Sequence, residues 1–372
     1  MKTTKFIISI LSIFVLIFTP SCEKDNENDN NNDVNAPLTY SFDRGGESTV
    51  SFSGQTARLE MAEELMNALN SESSSKDLLN QMFNDGTGFS NDMLNTSGKN
   101  IAGKTATSSV ASATVKIQFD NFINEFVDDV IPNFSNTASP GMAGTIGSRH
   151  VSSKGLEYNQ AFGKGLIGAM CVDQIVNNYL TQTKIGDNVD NESSDLSAGE
   201  YTSIEHHWDE AFGYVYGREE DETSPMLGVG VLYNKYLNKV NSSNEPGIAT
   251  EIYDAFKLGR AAIVASNSDV RDNQAEISRK KVSRVIAHKA SDYLFEGAAK
   301  MSEGDWAGCL HSLSEGYGFI LSLQFTYNDN GVPYFSNSEV NNMLDQLMEG
   351  NGFWDRSTAE LEEMGNQILS VL

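Results

Sequence analysis

The sequence predicts a mainly α-helical fold, duplicated helical bundles with a small N-terminal β-hairpin. Three observations predict it. After Gln55 apolar residues recur near the helical period, as in Leu59, Met61, Ala62, Leu65, Met66 and Leu69. The prolines beyond Pro20 (Pro37, Pro132, Pro140, Pro225, Pro246 and Pro333) all fall between the helical runs, where a missing N–H does no harm. A segment beginning at Ser197 recurs at Ser302, an offset of 105 residues without a gap.

The first element is an address. Lys2 and Lys5 precede an apolar run, Phe6 to Phe18, which is too short to span a bilayer and suits a signal-peptide core. Residues 1–21 are therefore expected to be a signal peptide, with Cys22 the lipidated first residue of the mature chain. Residues 22–36 are rich in Asn and acid and nearly devoid of apolar side chains, so they read as a solvated tether. The expected location is the outer membrane, periplasmic or surface-exposed, held by the lipid. Losing two lysines with the signal takes the formal charge from -25 to -27. That balance argues against a nucleic-acid partner, because phosphate contacts need clustered Lys and Arg.

Residues 37–372 form the expected helical domain. Two alternating runs, Leu38–Phe42 and Ser48–Ser53, flank Arg44-Gly-Gly-Glu and read as the hairpin. Helices are expected over 58–69, 76–83, 108–130, 156–181, 198–216, 226–240, 248–266, 269–300, 303–325, 338–349 and 358–372. Asn84–Lys104 and Asn133–Lys154 read as long loops, and loops of that length are often functional or mobile. The acidic Gly186–Leu196 matches no calcium-loop pattern and reads as solvated. Cys171 and Cys309 lie in apolar helical contexts, where buried thiols and a disulfide are both open.

The repeat, around 197–215 and 302–320, carries the chemical signal. His206, Glu210 and Gly213 recur as His311, Glu315 and Gly318, at i, i+4 and i+7 on one helix face. Upstream, Tyr179-Leu180 aligns with Tyr293-Leu294 if the acidic loop is an insertion. Ser197 with Glu200, and Ser302 with Asp305, are expected to start each helix as a capping pattern. If the two helices meet around a pseudo-twofold, His206, Glu210, His311 and Glu315 converge. Together with His207 and Asp209 they form the candidate metal set, suited to iron or zinc. The plain alternative is a hydrogen-bonded His–Glu pair that fixes helix packing.

Four blocks resemble an uncharacterised family of Bacteroidota lipoproteins, a domain of unknown function: Tyr40–Arg58, Gly163–Met170, Glu205–Tyr214 and Ala255–Ile263. An acidic stretch after a lipidated Cys is also similar to the surface-export signal of such lipoproteins. More distantly, the chain resembles imelysin-like envelope proteins, which have two related helical bundles, a G-x-H-x-x-E signature and an association with iron or haem uptake. Here Glu205 stands at the Gly position, and His207 and Glu210 match the His and Glu. The resemblance implies metal or haem binding within an iron-acquisition system, with a TonB-dependent receptor as partner. Its rivals are a non-metal scaffold for an outer-membrane protein or glycan, and a metal-dependent hydrolase. The sequence favours a binding protein over an enzyme: it has no H-E-x-x-H, and Gly163-Lys-Gly-Leu-Ile-Gly lies in a helical run with no preceding strand.

Overall fold

The computed structural model describes residues 34–189, 191, 200–219, 221, 223–228 and 230–372. The signal segment, Cys22 and the tether up to residue 33 lie outside the described residues, as do Ser197 and Gly199 of the first repeat. Val34–Leu372 forms one unit. Its helices are α1 (Ser53–Ala68), α2 (Lys76–Asn80), α3 (Asp92–Asn95), α4 (Ser112–Glu125), α5 (Tyr158–Leu166), α6 (Gln182–Ile185) and α7 (Ser203–Tyr216). They continue with α8 (Tyr233–Ser243), α9 (Ile248–Val264), α10 (Ser268–Glu303), α11 (Trp306–Ser322), α12 (Asn337–Leu347) and α13 (Thr358–Leu369). No helix among the described residues is long and apolar enough to cross a membrane.

The axis of the fold is α10, 36 residues and about 54 Å long at the helical rise. It packs against α9, α11 and α13, while α11 packs on α5 and α7 packs on α1 and α9. The Asn267 side chain caps its start, and Gly304, in the left-handed region, ends it. Between α1, α4 and α5 the core is aromatic: Phe119 meets Phe162 edge-on at 4.9 Å, with Phe83 on both. Each such buried ring contributes roughly 1.5–3 kcal/mol.

Besides α2, which continues through Gln81–Asp85, two helices run on as wide, π-type turns. α4 continues through Phe126–Val130, and α5 through Ile167–Val172 and Ile175–Tyr179. The G-x-G-x-x-G stretch lies in this second helix and serves packing: the Gly168 N–H donates to Ser322 Oγ of α11 at 3.1 Å.

Three expectations need correction. The N-terminal hairpin pairs only Asp43–Arg44 (β1) with Glu47–Ser48 (β2), around Gly45 and Gly46 at positive φ. Beyond these strands the Thr49 N–H still donates to the Phe42 carbonyl at 2.8 Å, while the Tyr40 hydroxyl and the Ser51 N–H turn to Asp209 of α7 and Thr49 Oγ1 meets Arg260 of α9. The loop at 133–154 holds a second hairpin, Gly144–Ile146 (β3) with Arg149–Val151 (β4). The helix starts also differ. α7 is capped by Thr202 with Glu205 in a reciprocal box, and α11 by Asp305. Ser302 instead belongs to the end of α10, where its hydroxyl donates to the Ala298 carbonyl. Cys171 and Cys309 are both buried and free.

Candidate functional site

The first turn of α7 begins a buried charge network. Glu205 closes the capping box, receives Arg44 Nη2 at 2.8 Å and forms an ion pair with Arg260 Nη1 at 2.9 Å. Burial raises its carboxyl, but the two arginines and the Thr202 N–H outweigh this and hold it below its ordinary value. Asp209, one turn on, receives Arg260 Nε at 3.0 Å, the Tyr40 hydroxyl at 2.6 Å and the Ser51 N–H at 3.2 Å. Arg260 also donates to Thr49 Oγ1 and lies over the Phe42 ring. Glu205 and Asp209 are thus i, i+4 partners around one arginine from α9. Trp208 between them donates to the Phe256 carbonyl at 2.9 Å.

The other face of α7 carries the histidines. His206 stacks on Tyr201 at 4.4 Å, and its Nδ1 is buried with no hydrogen-bond partner among the described residues. His207 Nδ1 donates to the Lys184 carbonyl at 2.8 Å, and burial holds its pKa below the ordinary value, so the ring is neutral. Glu210 accepts from Gln55 Nε2 and the Tyr179 hydroxyl, each at 3.0 Å, and Lys104 Nζ donates to Tyr179 at 2.8 Å.

α11 repeats this arrangement with different partners. Glu315 receives Lys164 Nζ at 3.0 Å and the Tyr236 hydroxyl at 2.9 Å. Lys239 Nζ donates to Tyr293 at 2.7 Å, as Lys104 does to Tyr179. Burial raises both the Tyr179 and Tyr293 hydroxyls, and Glu210 and Glu315 respectively raise them further. His311 Nδ1 lies 2.6 Å from Glu157, and its Nε2 is 3.8 Å from Glu315. The glycines one turn beyond admit a neighbouring helix. A Cβ on Gly213 would stand 2.5 Å from Phe52 Cβ, and one on Gly318 would stand 2.7 Å from the Ala161 carbonyl of α5.

The six predicted residues therefore fall into two sets, one on α7 and one on α11, with no hydrogen bond or ion pair between them among the described residues. No three His, Cys, Asp or Glu side chains there are grouped to hold a metal ion. The donor chemistry explains this. Asp209 and Glu315 are already neutralised by Arg260 and Lys164, so the set does not fit a shared metal centre.

A groove of about 420 Å³ opens elsewhere, between α4, α11, α12 and the link from β4 into α5. Phe122, Tyr158 and Tyr317 supply its aromatic surface, with ring centroids 6.1–6.2 Å from Phe122. Gln118, Asn121, Glu125, Asp129 and Asp345 supply polar groups. The Tyr158 hydroxyl donates to Glu125 at 2.5 Å, and Asp129 accepts the Ser153 N–H at 3.1 Å. Burial raises the hydroxyls of Tyr158 and Tyr317 above the ordinary tyrosine value, so both stay protonated.

The family described as Domain of unknown function (DUF4856) matches residues 37–371. The chain belongs to this family. No curated protein and no solved structure matches it. The DUF4856 match takes in both repeat helices and the whole groove wall.

Within this member of the family, three of the four sequence blocks meet in one charge network, and the other joins α11. Tyr40, Arg44 and Ser51 of the first block meet Glu205 and Asp209 of the third, and Arg260 of the fourth joins them. Lys164 of the second reaches Glu315. Sequence reasoning missed the groove, whose walls come from four separated segments. One signal pointed there: Ser152, Ser153 and Lys154 end the long 133–154 loop.

Proposed function

We propose that this DUF4856 protein is a non-catalytic cell-envelope binding protein, lipid-anchored at Cys22 to the outer membrane, that holds a carbohydrate in the α4–α11–α12 groove. The groove itself carries the reading. Its volume suits a small polar ligand, and aromatic faces beside amides and carboxylates offer a sugar both an apolar face and acceptors. The backbone N–H groups along its edge are already used: Ser152 donates to the Leu156 carbonyl, Ser153 to Asp129 and Lys154 to Ser152 Oγ. An extended peptide would find little main-chain pairing there. The test is calorimetric titration of the chain from residue 23 onward against a panel of oligosaccharides, beside Tyr158→Ala. Binding lost in the folded variant supports the reading, and no binding across the panel overturns it.

A second reading is a metal or haem on the repeated helices, within an iron-acquisition system that includes a TonB-dependent receptor. It draws on the imelysin resemblance and on His206 Nδ1, which is buried with no partner among the described residues. Elemental analysis and absorbance after loading, with a Glu210→Ala, Glu315→Ala variant alongside, decide it. Stoichiometric iron, zinc or haem lost in a folded variant supports it, and none under any loading removes it.

A further inference from the structure

We infer that the groove selects a cationic amino sugar, an oligosaccharide bearing free ammonium groups, over its neutral N-acylated counterpart. This rests on the carbohydrate reading and deepens it. The argument starts from an imbalance of donors and acceptors. Gln118 Nε2 donates to Asn341 Oδ1 at 3.0 Å, Asn341 Nδ2 to Asn337 Oδ1 at 3.1 Å, and Asn337 Nδ2 to Gln324 Oε1 at 2.7 Å. Gln324 Nε2 ends the relay on the Leu321 carbonyl at 2.9 Å. A carbonyl can only accept, so every amide in the chain is oriented by the one after it. The end left over is Gln118 Oε1, a buried acceptor with no partner among the described residues, on a residue that lines the groove.

Charge runs the same way. Glu125, Asp129 and Asp345 line the groove, and among the described residues none of them pairs with a cation. Lys154, the one lysine on the wall, turns its ammonium to the Met348 carbonyl at 2.7 Å. The groove therefore offers acceptors and negative charge, with tyrosine faces that favour a cation. A ligand that answers this has hydroxyl donors and an ammonium group. Acylation would remove that charge and leave the carboxylates facing a neutral amide. The formal charge without the signal segment, -27, adds a long-range pull of the same sign.

The experiment compares a glucosamine tetrasaccharide with its fully N-acetylated form, both titrated calorimetrically into the chain from residue 23 onward. Tetralysine and an Asp345→Asn, Glu125→Gln variant accompany them. The expected result is about tenfold tighter binding of the free amine. The preference should collapse in the variant at unchanged Tm, and shrink as salt is raised. Equal binding of the two sugars overturns the charge selection and leaves the carbohydrate reading standing. Tetralysine bound as tightly as the amino sugar means that the groove reads charge alone, which overturns the sugar specificity. If neither these sugars nor the neutral panel binds, both fall.

Discussion

Arg260 Nε stands 3.0 Å from Asp209 Oδ1, and neither side chain touches water. The same guanidinium reaches Glu205, which Arg44 also pairs, so two arginines balance the two acids of this turn. Arg260→Met strands Asp209 without its cation. The expected loss is about 3–5 kcal/mol, because an unpaired buried charge costs far more than the pair contributes. Adding Asp209→Asn should recover part of it. Urea unfolding midpoints measure both, and an unchanged midpoint for the single variant would contradict the network.

Glu315 gives an acid-side prediction. Burial raises its carboxyl, but Lys164, His311 and the Tyr236 hydroxyl outweigh this and bring its pKa to about 2. The folded value lies below the unfolded one of about 4.3, so the carboxylate stabilises the fold above that pH and loses its effect as pH falls towards 2. Glu315→Gln should cost on the order of 3 kcal/mol at pH 7. The gap between wild type and variant should narrow steadily between pH 5 and pH 2. A gap that is flat over that range would show that Lys164 does not depend on the charge.

Asp173 has the opposite sign. It is buried in the wide-turn part of the long helix, where its carboxylate accepts the Ser108 N–H at 3.0 Å. Burial pushes its pKa up to about 6, although hydrogen bonds from Ser108, Asn177 and Gln174 pull the other way. The folded state therefore holds this proton more tightly than the unfolded state, and stability falls as pH rises from about 4 to 6. Asp173→Asn keeps one acceptor and never ionises. It should raise Tm at pH 7.5, by on the order of 1–2 kcal/mol in stability, and have little effect at pH 4. Thermal melts at the two pH values check the sign.

The helix crossings make a steric prediction. Gly318→Ala would push a methyl group against backbone atoms of Ala161 and Gly165, both 2.7 Å from the new carbon. Backbone yields less than a side-chain tip, so α11 and α5 must separate, at roughly 1–3 kcal/mol. Loss of Tm is the expected reading, and a neutral substitution would mean that the two helices are looser than the structure shows.

The helical fold was legible in the sequence because long helices repeat their apolar face many times, as α10 and α11 do. Shorter features were not. The β3–β4 hairpin lies in a Gly- and Ser-rich stretch that has no alternating apolar pattern. Cap positions slipped because Ser197, Thr202, Ser302 and Asp305 are all competent cap residues within a few positions of one another. The repeat singled out Glu210 and Glu315, each of which has hydrogen-bond partners. What those partners were depended on distant segments: Glu315 meets a lysine on α5, and Asp209 an arginine on α9. Nothing in a His–Glu spacing states which acids are already neutralised. The groove had no linear motif at all.

The strap at Tyr40–Ser51 has a consequence in time. Tyr40 finds Asp209 across 169 residues, and Thr49 finds Arg260 across 211. A chain delivered N-terminus first presents this strap early and its partners late. Closing so long a loop is slow, and it cannot begin until Arg260 has emerged. A chain interrupted before that point carries a loose, protease-accessible N-terminal segment and exposed aromatic residues. The buried arginine therefore marks completion: only a chain made at least as far as α9 can close over it.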